Sequence, residues 1–127
     1  VIDYITTGST GNASDFGDLS AVRSAMSACS SSTRGVFMGG NNDTNIIEYV
    51  TIASAGNATD FGDLTANAND TSGASSNKIT GVMAMGQSSN SIEFITIAST
   101  GNSQDFGDRT VTGGFAGCHS NGNGGLV

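Results

Sequence analysis

Paired carboxylates recur three times in this sequence and are the first candidates for chemistry. The motif Asp-Phe-Gly-Asp occupies residues 15–18, 60–63 and 105–108, at a constant spacing of 45 residues. Ca²⁺ takes about six to eight oxygen ligands from carboxylates, carbonyls and water. Asp15, Asp18 and the carbonyl of Asn12 offer a few of them, and the other two copies offer a similar set. Neither an EF-hand spacing nor a Gly-Gly-x-Gly-x-Asp nonapeptide is present, so a Ca²⁺ site is the alternative interpretation.

A structural role is the preferred interpretation of the same motif. Asp-Phe-Gly also binds magnesium in protein kinases, but the Gly-rich loop, strand lysine and catalytic-loop motif of those enzymes are missing from this sequence. A catalytic residue is needed once, whereas this motif occurs three times. We predict that Phe packs between repeated units, that Gly permits a tight turn, and that the carboxylates accept hydrogen bonds from loop N–H groups.

A second set of acids, Asp3, Glu48 and Glu93, shares one repeat position. Together with the six motif aspartates they make up nine of the 11 acidic residues, so the negative charge is a property of the repeat. A closed ring of repeats would carry these acids as rings of charge. We expect a solvated rim, with a cation-binding axial channel as the alternative.

Few other residues can support catalysis or metal binding. His119 is the sole histidine and follows Cys118, but a structural zinc site needs four ligands. A Ser-His-Asp triad requires a specific geometry, and the many serines supply accidental candidates. Cys29 and Cys118 lie at nearly equivalent repeat positions, and we predict that both are small buried core residues, with a redox or cross-linking role as the alternative. We predict no catalytic residue, no resident cofactor or metal, and no enzymatic activity.

Charge and hydropathy narrow the range of partners. The net charge is −7, and the four basic residues are Arg23, Arg34, Lys78 and Arg109. Nucleic acids and anionic membranes are bound through clustered Lys and Arg, so neither partner is expected. No apolar run approaches the ~20 residues of a membrane-spanning helix, and no signal peptide is visible.

The residues around the motif predict an all-β repeat of four short strands. The chain has 19 Gly, no Pro and only 12% charged residues, which favours closely spaced strands over helices. In one unit the predicted strands are Ala25–Ser30, Gly35–Met38, Ile46–Ala53 and Asp60–Thr65. The third strand is largely apolar on both faces, so each sheet should be covered on both sides. This pattern is typical of an antiparallel β-propeller blade, with a β-solenoid as the alternative.

The repeat phase predicts where blades begin and end. Aligning Val1 with Ile46 gives a half blade at 1–24, full blades at 25–69 and 70–114, and a half blade at 115–127. The two half blades together make one complete unit. This arrangement is typical of a propeller whose two chain ends share one blade. Propellers have about four to eight blades. We therefore expect a segment of a longer protein, with association of copies into a ring or filament as the alternative.

Two resemblances follow from these residues. The double glycine that ends Gly35–Gly40, followed by Tyr49 and Phe61, resembles a kelch repeat, although Phe replaces the usual Trp and the next unit has Met85 in place of one glycine. The phrase IEYVTIASAGNATDFGDL at 47–64 resembles tandem repeats in marine bacteriophage proteins, especially those of cyanophages. Such proteins are taken to be virion or tail-fibre-like components.

The phage resemblance implies a virion or extracellular location and a structural or host-attachment role. Its expected partners are other virion proteins, a host surface receptor or glycan, and further copies of the chain. Binding residues should lie in the segments that differ most between repeats, at Ser20–Ser27, Ala66–Asn77 and Thr110–Gly114. A kelch-type carbohydrate-active enzyme or oxidase is the other alternative. Its copper or carbohydrate site would need His and Tyr ligands, and the single histidine argues against it.

Overall fold

Among the described residues, the extended regular structure is antiparallel β-structure, with no helix. The computed structural model describes residues 1–120 except 43, 72, 88 and 116. Its ten strands are β1 (Ile2–Tyr4), β2 (Ser14–Gly17), β3 (Ser27–Ser30), β4 (Arg34–Met38), β5 (Thr44–Thr51), β6 (Thr59–Ala68), β7 (Ala74–Ser76), β8 (Thr80–Ala84), β9 (Ser91–Thr96) and β10 (Gln104–Asp108). Across the described residues no helix is long and apolar enough to cross a membrane.

The strands form three sheets that follow the predicted repeat. Strands β1 and β2 pair alone, β3 to β6 form a four-stranded meander, and β7 to β10 form a second one in the same order. We call the sheets and their loops the first unit (1–24), the second unit (25–69) and the third unit (70–114). The predicted all-β class is confirmed. Strand β6 runs to Ala68, beyond the predicted end at Thr65. The predicted strands of the final half unit fall partly outside the described residues, and residues 117–120 form no strand.

Each motif carries the same β-bulge. In the second unit Glu48 pairs with Asp60 and Ile47 pairs with Gly62, so Phe61 is the extra residue between them. The register shifts at the same place in the first and third units. A bulge bends the strand and re-aims the side chain at that point. In each unit the motif Phe lies edge-on against an aromatic residue of the neighbouring strand; for Tyr49 and Phe61 the ring centroids are 5.9 Å apart.

The hydrophobic core lies between the second and third units. The second unit contributes Cys29, Val36, Met38, Ile47, Phe61, Leu64 and Ala68, and the third contributes Met83, Met85, Ile95 and Ile97. The two sheets approach so closely that a side chain at Gly81 would collide with the sulfur of Cys29. A small sheet cannot bury both faces alone, so each unit depends on its neighbour for its core.

Candidate interface between repeat units

A loop of the second unit docks on the motif strand of the first, and the same loop of the third unit docks on the motif strand of the second; each contact is called a joint. At the first such joint, Gly56 N donates to the carbonyl of Phe16 at 2.7 Å, and Ala58 N donates to the carbonyl of Asp18 at 2.8 Å. The side-chain oxygen of Asn57 accepts a hydrogen bond from Asp18 N at 3.0 Å. The Gly-Asn pair therefore completes the hydrogen bonding of a strand 39 residues away in the chain.

The second joint repeats the first bond for bond. Gly101 N donates to the carbonyl of Phe61 at 2.7 Å, and Ser103 N donates to the carbonyl of Asp63 at 2.9 Å. The side-chain oxygen of Asn102 accepts from Asp63 N at 3.0 Å. Because corresponding distances agree so closely, the joint is a property of the repeat.

The motif glycine is required by this joint. Gly17 and Gly62 have φ of +151° and +145°, in a region that L-residues rarely adopt. A side chain at either position would also collide with the loop of the next unit, at the carbonyl of Gly56 or Gly101. The predicted role of this glycine in a tight turn is thus incomplete, because the residue also leaves room for the following unit.

The repeat acids Glu48 and Glu93 lie inside the joints. Their exposed fractions are 2% and 1%, so the expected solvated rim is wrong for these two residues. Glu48 accepts from Ser20 N at 2.9 Å, and Glu93 accepts from Thr65 N at 3.1 Å. Each carboxylate thus binds the chain that follows the motif of the preceding unit. Asp3, at the same position of the first unit, is exposed.

The two buried carboxylates use different second partners. The guanidinium of Arg23 forms an ion pair with Glu48, and both side chains are 2% exposed. Glu93 instead accepts hydrogen bonds from the hydroxyls of Thr65 and Ser103. A buried charge is costly unless it is paired or hydrogen-bonded. One joint meets this requirement with a cation and the other meets it with neutral donors.

The motif aspartates contribute less than predicted. All six are exposed, and the expected acceptance of a loop N–H by a motif carboxylate is seen at Asp105, which accepts from Gly107 N at 3.2 Å. The joints use main-chain atoms of the motif instead, because the bulge directs its N–H and C=O groups toward the next unit. Among the residues that the structure describes, no three His, Cys, Asp or Glu side chains are grouped to hold a metal ion.

The two cysteines have different environments. Cys29 is buried in the core, as predicted, and burial raises the pKa of its thiol from 9.0 to about 11. Cys118 is exposed, so the prediction of a buried residue is wrong there. Cys118 lies beside Val82 and Ile92 of the third unit. His119 is exposed beside it.

The third unit presents an open counterpart of the buried core face. Val82, Ile92 and Phe106 correspond to Val36, Ile47 and Phe61. Phe61 is 2% exposed, whereas Phe106 is 62% exposed. The corresponding side chains of the third unit line a shallow cleft of about 440 Å³. Cys118, His119 and Ser120 line the same cleft, and Ser120 Oγ donates to the carbonyl of Ser76 at 2.7 Å. The surface is therefore core in the second unit and only partly covered in the third.

The variable segments are only partly exposed. Val22 and Val111 are largely exposed, as is the β6 stretch at 65–67. Other residues of the same segments are buried, including Ala68 and Thr71. The tips available to a partner are therefore residues 21–22, 66–67 and 111–112, because Ser20 and Thr65 are bonded to the buried glutamates.

The sequence contained one signal that its interpretation missed. The Gly-Asn pair recurs at 11–12, 56–57 and 101–102, and we read it as a simple turn and a calcium ligand. Its retention between variable neighbours marks the docking element.

No protein-family model matches this chain, and no curated protein matches it either.

Proposed function

We propose that this chain is part of a β-propeller that serves as a non-enzymatic structural and host-attachment protein of a bacteriophage virion. The observation that carries the proposal is the joint, which occurs twice with the same bonds and stacks one antiparallel sheet on the next. A repeated rotation between four-stranded sheets is the principle of propeller architecture. The resemblance of the repeat to cyanophage proteins supports the virion assignment.

The division of each unit into constant and variable parts supports an attachment role. The docking bonds of the joint involve main-chain atoms and the Gly-Asn pair, and the buried glutamates bind Ser20 and Thr65. The tips at 21–22, 66–67 and 111–112 lie beyond these bonds, differ in sequence and are exposed. Binding residues usually lie on loops that a rigid scaffold positions. We assign recognition of a host receptor or glycan to these tips.

A cell-binding experiment tests this role. The fluorescently labelled chain is incubated with a panel of marine cyanobacterial strains, and saturable binding to some of them is expected. Val22→Asp and Val111→Asp place a charge on two exposed tips, so they should abolish or redirect binding. Because both side chains are exposed, the melting temperature should shift by no more than about 2 °C.

The matched control is Ser32→Asp, which adds the same charge in the exposed turn between β3 and β4. It should leave both binding and melting unchanged. Failure of the chain to bind any strain, or an equal loss of binding in the control and the tip variants, would contradict the attachment role.

A further inference from the structure

We propose that the open face of the third unit binds the first unit of a second copy of this chain, so that the internal joint is repeated between molecules. We call the open face the tail surface; it comprises Val82, Ile92, Phe106, Gly107, Asp108 and Thr110. The head surface comprises Asp3, Gly11, Asn12 and Ala13. The inference rests on the scaffold role proposed above and names one of its partners.

The tail surface is already in the conformation that a joint requires. The strand has the same bulge as the two motifs that form joints, and Gly107 has φ of +142°, close to Gly17 and Gly62. No described atom lies within 4 Å of the place where a side chain at Gly107 would begin. At the two formed joints, the carbonyl of a docking Gly-Asn loop fills that place. The backbone at Gly107 therefore has the geometry of a joint, and no described atom occupies the place of the docking loop.

The tail surface is also apolar where the formed joint is buried. Phe61 falls to 2% exposure beneath the third unit, and Phe106 stays at 62%. Val82 and Ile92 remain half-buried, whereas Val36 and Ile47 are fully buried. A contiguous exposed apolar surface with polar edges is typical of a protein-binding site. An occupant of the motif end of this surface must supply the docking loop that the third unit supplies to the second.

The head surface supplies the docking groups. Gly11 and Asn12 repeat the pairs at 56–57 and 101–102, and the loop that holds them is exposed. By analogy with both joints, Gly11 N would donate to the carbonyl of Phe106, and Asn12 would accept from Asp108 N. Asp3 occupies the repeat position of Glu48 and Glu93. In the proposed contact its carboxylate would face the N–H of Thr110 of the other copy.

This complementarity selects a second copy over an unrelated protein. The main-chain groups of Phe106 and Asp108 and the N–H of Thr110 have partners of known identity in the two internal joints, and the head surface carries the corresponding Gly-Asn pair and an acid. The contact joins two different surfaces, so each copy has one free surface after pairing. Such a contact produces a ring when the rotation closes and a filament when it does not.

Solution mass measurement tests the inference on the 127-residue chain. Analytical ultracentrifugation should show mass that increases with concentration. The head variant Asp3→Ala/Asn12→Ala and the tail variant Phe106→Glu should each be monomeric, with the dissociation constant raised at least about 30-fold. Both variants alter exposed side chains, and circular dichroism checks that they are folded.

Mixing the two variants gives the most specific result. The head variant retains its tail surface, and the tail variant retains its head surface, so the mixture should form one-to-one pairs and stop there. If Phe106→Glu is unfolded, Gly107→Ala replaces it as the tail variant. Asp3→Glu should lower the dissociation constant about tenfold, because its longer side chain can make the charge-assisted hydrogen bond seen for Glu93.

Two outcomes would overturn the inference. One is a wild-type chain that remains monomeric up to about 1 mM. The other is association that survives in both variants or in which mixing produces no pairs. If association fails while the loop tips still control cell binding, only this inference falls. If association holds and no strain is bound, the attachment role alone is contradicted.

Discussion

The second and third units have the same strand order and nearly the same motif, yet they present opposite surfaces. Phe61 is core, whereas Phe106 is largely exposed. The difference arises because a complete sheet covers the motif face of the second unit, whereas the described residues on that face of the third unit include only the short segment Cys118–Ser120, which leaves Phe106 largely exposed. Burial in this molecule is thus decided by the adjacent unit and not by local sequence, as in other repeat proteins.

The comparison also locates the stabilising free energy. Full burial of a Phe side chain contributes about 1.5–3 kcal/mol, and the joint adds hydrogen bonds worth roughly 1 kcal/mol each. Both contributions come from contacts between neighbouring units. Equivalent substitutions in the second and third units should therefore have unequal effects on the free energy of unfolding. Each should be measured by urea denaturation at a low concentration, where the tail surface is unoccupied.

The largest contrast is expected at the motif phenylalanine. Phe61→Ala removes a buried aromatic side chain and leaves a cavity, so it should lower the free energy of unfolding by about 3–5 kcal/mol. Phe106→Ala loses mainly its edge contact with Phe94, where the ring centroids are 6.1 Å apart, and should cost less than about 1 kcal/mol. Equal losses in the two variants would show that the joint contributes nothing to Phe61.

Substitution of the motif glycine distinguishes the free-energy cost of backbone strain from the cost of a steric collision. Gly62→Ala and Gly107→Ala impose similar strain, because their φ values are +145° and +142°. Only the first also collides with the loop at Gly101. Gly62→Ala should therefore cost roughly 3–4 kcal/mol, and Gly107→Ala roughly 1 kcal/mol. A larger loss for Gly107→Ala would refute this description of the joint.

The repeat acid gives the next contrast. Glu93→Ala leaves Thr65 and Ser103 without their buried acceptor and should cost about 3 kcal/mol. Asp3→Ala alters an exposed side chain at the same repeat position and should change stability by no more than about 0.5 kcal/mol. A loss at Asp3 as large as that at Glu93 would mean that burial is not what makes this acid important.

The thiols provide the smallest contrast, together with a pH dependence. The pKa of Cys29 is about 11 in the folded chain against an ordinary 9.0, so the folded state binds more protons between these values. The contribution of Cys29 to stability should therefore be constant well below pH 9 and should fall by roughly 2 kcal/mol between pH 9 and 11. Cys29→Ala should remove this slope.

Thiol labelling at pH 8 checks the same assignment. Cys118 should react within minutes in the native protein, because it is exposed. Cys29 should react only after denaturant is added, because it is buried and protonated. Rapid native labelling of both thiols would contradict the burial of Cys29.

The strand pattern was predictable because it is local. Alternating apolar residues, glycine pairs and a constant spacing identify four strands per unit, and the observed sheets follow them. The burial of Glu48 and Glu93 was not predictable, since a carboxylate at a repeat position is ordinarily solvated. Only the three-dimensional joint reveals that N–H and hydroxyl donors of the preceding unit surround it. Cys118 was misjudged because the repeat predicted a strand there, whereas residues 117–120 form no strand and leave its thiol exposed.

The different partners of the two buried glutamates have a consequence for evolution. The main-chain bonds at each joint are the same whether the buried glutamate is paired with Arg23 or with two hydroxyl groups. A gene can therefore duplicate or delete a whole unit while the new neighbours still fit, and the polar lining can be adjusted later by point mutation. Variation in copy number is thus tolerated by the architecture, and the exposed tips are free to diversify with each duplication.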